Sequence, residues 1–109
     1  MELQHEQRAA AEEVIQRDRH DLYSGGWAFP TKPFNWSLYL FYGGDLREYE
    51  LPWLRSQIDQ LAALPPDEDG DRPTGLFVVT GEEGGAETWQ ISDGTLAVYP
   101  APEYAWLTE

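Results

Sequence analysis

The sequence predicts a one-domain α+β fold: a single antiparallel sheet of about five strands with helices packed on one face, in the order α-β-β-α-β-β-β. Three observations carry this expectation. Two segments place apolar residues at helical spacing, and several short β-branched or aromatic runs are bounded by glycine pairs. The chain has 109 residues, 41% of them apolar, with five Trp, six Tyr and four Phe, which suffices for one real core. No internal repeat and no composition shift divides residues 1–109 into smaller units.

The first element is a helix over 2–21. Leu3, Ala10, Ala11, Val14 and Ile15 form its apolar stripe, and Glu6, Glu13 and Arg17 take the other side. The stripe is thin and rich in alanine, so loose packing is expected. Gly25-Gly26 ends the segment, and Trp27 to Pro33 reads as an extended connection. Asn35 to Tyr42 gives a strand that is apolar on both faces, with Trp36, Leu38, Leu40 and Tyr42 alternating with Tyr39 and Phe41. That pattern predicts a central strand covered on both sides, with Trp36, Leu38, Tyr39 and Phe41 in the core. Gly43-Gly44-Asp45 is a tight turn, and Leu46 to Glu50 returns as a shorter, polar strand.

Pro52 suits the first turn of a helix. Leu54, Ile58, Leu61 and Ala62 then recur on one face, Arg55, Gln57, Asp59 and Gln60 mostly on the other, and Pro65-Pro66 stops the helix. An acidic loop, Asp67-Glu68-Asp69-Gly70-Asp71, precedes the β-branched run Leu76 to Thr80. A turn at Glu82 to Gly85, an alternating strand from Glu87 to Ser92, a hairpin signal at Asp93-Gly94 and a strand from Leu96 to Tyr99 complete a meander. The tail, 100–109, holds Tyr104-Ala105-Trp106-Leu107 and is expected to dock on a sheet edge or a helix.

Charge is the feature that points to function. Net charge is −13, and residues 67–109 hold ten carboxylates against one base, Arg72, carrying −9 of that total. Such a surface repels nucleic acid and anionic membranes and attracts basic protein surfaces. Cysteine is absent, which excludes disulfides and thiolate metal sites. The N-terminus lacks the basic and apolar regions of a signal peptide, and no apolar run is long enough to span a membrane, so a cytoplasmic protein is expected.

Catalytic patterns are weak. His5 and His20 sit too far apart along one helix to share a metal, and His20-Asp21 reads as solvated polar residues. The acidic loop fails the EF-hand template, because Arg72 falls where glycine is needed and Val78 where glutamate is needed. The glycine pairs match no phosphate-binding motif. No enzyme, cofactor or metal is therefore expected. The candidate partner-binding residues are Asp67, Glu68, Asp69, Asp71, Glu82, Glu83 and Glu87, with Trp53 or Trp106 as an apolar anchor.

The stretch from Asn35 to Tyr99, about 60% of the chain, resembles small immunity proteins of bacterial polymorphic toxin systems. The likeness rests on NWSLYLFYGGDL, then LPWLRSQIDQLAAL, then GLFVVTG, ETWQIS and TLAVYP. The chain is similar also to acidic anti-CRISPR and anti-restriction proteins of phages, some of which mimic DNA. The resemblance implies stoichiometric binding without catalysis: a small acidic inhibitor that blocks a basic protein such as a toxin or a nucleic-acid-handling enzyme. The alternative from another class is a glycan or small-ligand module, in which aromatics form the patch and the acids confer solubility.

Overall fold

A computed structural model of the chain describes residues 1–30, 37–81 and 84–108. The fold class is α+β as expected, but the strands form three small sheets in place of one five-stranded sheet. Strand β1 (Glu2–Gln4) opens the chain, a 3-10 turn covers His5–Gln7, and helix α1 follows at Arg8–Arg17. The expected helix over 2–21 is thus shorter at both ends. At its start, Glu2 to Gln4 pair antiparallel with Tyr39 to Ser37, and Leu3 is buried opposite Leu38. At its end, side chains from the second helix bind the carbonyl of Asp18 and replace the next helical turn. Nor is α1 loosely packed: Ala11, Val14 and Ile15 are buried, and the small alanine side chain lets α1 approach helix α2 (Leu51–Ala62) closely.

The aromatic strand divides. Strand β3 (Ser37–Tyr39) pairs with β1, whereas β4 (Phe41–Tyr42) pairs on its opposite edge with β2 (Trp27–Ala28). Leu38 and Leu40 are fully buried, but Tyr39 and Phe41 are 43% and 56% exposed. The expectation of a strand covered on both faces is therefore corrected: Tyr39 and Phe41 stack on each other on a side that stays open to solvent. Trp36, also expected in the core, lies outside the described residues, as does Asn35 at the start of the expected strand. Leu46 to Glu50 is not a strand; a 3-10 turn at Glu48–Glu50 runs directly into α2, whose Pro52 fits the first turn.

The meander is confirmed. Strands β5 (Gly75–Thr80), β6 (Ala86–Ser92) and β7 (Thr95–Pro100) pair antiparallel in sequence order. Asp93 and Gly94 join β6 to β7 with φ of 52° and 80°, the double positive-φ geometry of a type I′ turn. Phe77, Trp89, Ile91, Leu96 and Val98 face inward, and α2 packs against β7. The tail forms a 3-10 segment (Pro102–Thr108) that packs against β6 and β5, on the sheet's outer face rather than its edge, where it covers Thr88.

Two buried glutamines organise the molecule. Gln57 accepts the indole N–H of Trp27 at 2.8 Å and donates to the Asp18 carbonyl at 2.9 Å, with longer contacts to Ile15 and Val14. It thereby closes the C-terminal end of α1 from the flank of α2. Its assignment to the polar face of α2 is corrected: Gln57 is 0% exposed. Trp27 in turn meets Tyr42 and Phe77 edge-on, at 5.0 and 6.1 Å. The second glutamine, Gln7, holds the acidic loop.

A single antiparallel bridge, Glu2 to Thr74, brings the free edge of β1 to the entrance of β5. Gly75 is required there, because a Cβ at this position would overlap Met1.

Candidate partner-binding surface

The acidic loop is a built structure. Asp67 Oδ1 accepts the backbone N–H groups of Asp69 and Asp71 at 3.0 and 2.8 Å, and the Asp67 N–H donates to the Asp71 carbonyl. Such an aspartate-nucleated turn closes the loop on itself, with Gly70 at positive φ supplying the reversal. Gln7 then ties both ends of the loop to the N-terminal turn. Its Nε2 donates to the Pro65 carbonyl at 3.0 Å and to the Asp71 carbonyl at 3.2 Å, while its Oε1 accepts the Gln4 N–H. A side chain only 5% exposed thus ties the backbone of the loop to the N-terminal turn.

The field of this cluster is visible in Glu6. Its carboxyl is raised above the ordinary glutamate value, first by loss of hydration beside the loop and then by repulsion from Glu68, Asp67 and Asp69. A contact with the Glu68 backbone opposes the shift. Glu6 therefore belongs to the same acidic surface, although it is distant in sequence. Asp67, Asp69 and Asp71 each bring a carboxylate oxygen within 4.8 Å of the others, an oxygen-donor grouping of the kind hard cations take.

Compensation is sparse. Among the described residues, ion pairs join Arg8 to Glu12 at 2.9 Å and His20 to Glu50 at 3.5 Å. His20 thus faces Glu50 and not its neighbour Asp21. Arg72, the one base of the acidic half, lies with its guanidinium against Gly94 of the β6–β7 turn and forms no ion pair among the described residues.

The remaining predicted residues are dispersed. Glu87 is half-buried near the far end of β6, where its Oε1 accepts the Trp89 indole N–H at 2.9 Å. The loop instead leads into β5 at the end where Gly75 faces Ile91, so Glu87 and the acidic loop occupy opposite ends of the meander. Glu82 and Glu83 lie outside the described residues. Trp53 is half-buried: its indole N–H donates to the Asp18 carbonyl, and its ring neighbours His20 and Tyr23. Trp106 is 63% exposed on the C-terminal segment, over a sheet face that also exposes Leu76, Val78 and Tyr99.

A cleft of about 560 Å³ opens between the Tyr42–Leu46 stretch, the start of α2 and the β5–β6 hairpin. Leu51, Leu54, Phe77, Val79 and Trp89 give it an apolar floor, and Asp45, Glu48 and Glu87 give it an acidic mouth.

Sequence reasoning placed none of Glu6, Gln7, Asp45 and Glu48 among the partner-binding residues. Gln7 carried a legible signal, since it falls in phase with Leu3, Ala11 and Val14. A polar residue on an apolar stripe marks a buried hydrogen-bonding post. Glu6, Asp45 and Glu48 acquire their neighbours only through the tertiary fold. No helix among the described residues is long and apolar enough to cross a membrane. Comparisons with family models, with curated proteins and with solved structures gave no match to this chain.

Proposed function

We propose that this protein is a non-catalytic inhibitor that binds and blocks a partner with a basic surface, in the manner of an immunity protein. The observation that carries the reading is the acidic loop. Asp67, Glu68, Asp69 and Asp71 are fixed by Gln7 and by their own turn, stand beside Glu6, and are left without cationic partners among the described residues. Fixed, uncompensated carboxylates steer a basic partner at long range and lose little conformational freedom on contact. Exposed Trp106 supplies an apolar anchor on a separate face.

The test is capture from host lysate with the wild-type chain and with an Asp67→Asn, Glu68→Gln, Asp69→Asn, Asp71→Asn variant. Asparagine at position 67 keeps the oxygen that accepts the loop N–H groups, so the loop geometry survives. The reading expects a basic protein retained by the wild type, eluted by salt and lost with the variant. Equal retention of the same proteins by both chains would refute it.

A further inference from the structure

We propose that the cleft between β4 and β5 is a strand-shaped slot that accepts an extended, basic peptide segment of a partner by β-strand addition. β1 already shows the geometry. Its Met1 exchanges backbone hydrogen bonds with Leu40 on one side, and its Glu2 exchanges them with Thr74 on the other. β1 is therefore sandwiched between the β3–β4 segment and the entrance of β5, and it is antiparallel to both. The 560 Å³ cleft lies between the same two segments, with Tyr42 and Gly43 on one wall and Phe77 to Gly81 on the other.

Both walls of the slot expose ladder groups. Thr74 directs its N–H and C=O toward β1, while Gly81 directs its N–H toward Gly85 across the hairpin. By the alternation of an antiparallel strand, Leu76, Val78 and Thr80 turn their backbone groups away from β6 and into the slot. On the opposite wall Leu40 faces β1 and Gly43 faces Gly26, which turns the N–H and C=O of Tyr42 toward the slot. A β-strand carrying unpaired groups beside an apolar floor is a template for an added strand. From Leu76 to Thr80 the wall runs roughly 13 Å, at about 3.3 Å per residue, which matches four to five residues of peptide.

The acids select the occupant. A peptide antiparallel to both walls has its N-terminal half at the mouth, beside Asp45, Glu48 and Glu87, and its C-terminal half toward the start of β5. Its N-terminal half therefore presents lysine or arginine inward, and its C-terminal half presents apolar residues to Phe77, Leu54 and Trp89. A second copy of this chain, at −13 net charge, is the wrong partner for that mouth. The slot is distinct from the acidic loop, so it adds a second mode of contact to the proposed inhibitor.

The probe is a synthetic peptide in which two lysines and then two valines alternate with threonines, titrated into the full chain and followed by amide NMR and hydrogen exchange. The expected result is saturable binding, with exchange at Leu76, Val78 and Thr80 slowed about ten-fold or more. N-methylation of an interior peptide nitrogen, or Val78→Pro in the protein, weakens binding about ten-fold or more, because each removes a ladder donor. Val78→Pro lies on the β5 edge that carries no β6 bond; should it unfold, the N-methylated peptide still decides. Equal binding by a glutamate-for-lysine peptide would overturn the proposal, as would indifference to N-methylation. Shifts confined to residues 67–71 would also overturn it while leaving the acidic-loop reading intact.

Discussion

Replacing Gln57 with leucine removes one side chain that serves two elements. The Trp27 indole N–H, buried in the core, loses its acceptor at 2.8 Å, and an orphaned buried donor costs about 1–3 kcal/mol. The Asp18 carbonyl loses one donor but keeps the indole of Trp53 at 2.8 Å, so this loss adds about 0.5–1 kcal/mol. Leucine is close to glutamine in volume, and no large cavity opens. The expected destabilisation is about 1.5–4 kcal/mol, a large share of the roughly 5–15 kcal/mol of an ordinary domain. The assay is urea unfolding at fixed pH, followed by circular dichroism and tryptophan fluorescence together. A companion Trp27→Phe, Gln57→Leu double variant removes donor and acceptor at once and recovers about 1–2 kcal/mol relative to the sum of the singles. A Gln57→Leu chain within about 0.5 kcal/mol of wild type would refute the assigned role.

Gln7→Ala frees the acidic loop from its two carbonyl contacts, so the Asp69 and Asp71 amides should exchange faster by hydrogen-exchange NMR, with stability lowered by about 1–3 kcal/mol. Unchanged loop exchange would contradict the anchoring. The Glu6 carboxyl, followed by NMR titration, should titrate above the ordinary value and return toward it in the Asp67→Asn, Glu68→Gln, Asp69→Asn chain. Because its folded value is raised, the folded state binds more protons between the ordinary and raised values, and stability falls as pH rises through that window. The amino group of Met1 behaves oppositely. Burial lowers its value against the lesser pull of Glu2, so the unfolded chain binds more protons just below pH 8, and stability should rise with pH there in denaturation series.

The elements set by local signals were legible in the sequence. Helix α2 follows its apolar stripe and Pro52, and the β6–β7 hairpin follows Asp93-Gly94. What escaped depends on tertiary partners. Gln57 reads as polar, yet it lies buried because Trp27 and the end of α1 need its amide. Tyr39 and Phe41 read as core because they are large, but they stay 43% and 56% exposed and stack on each other. The split into three sheets follows from β3 and β4 using opposite edges for different partners, which alternation of side chains does not encode. The acidic loop was legible as charge; its rigidity, and the inclusion of Glu6, arise from Gln7 meeting a loop 58 residues away at Pro65.

Whether the acidic loop binds the partner is tested most directly by the salt dependence of affinity for the captured protein, measured for the wild type and for the Asp67→Asn, Glu68→Gln, Asp69→Asn, Asp71→Asn chain. Four surface charge pairs at about 0.2–1 kcal/mol each predict roughly four-fold to nearly a thousand-fold weaker binding for the variant at low salt. The wild-type affinity should fall steeply with salt, and the variant's curve should be clearly shallower. Identical dissociation constants and identical salt slopes for the two chains would contradict the account.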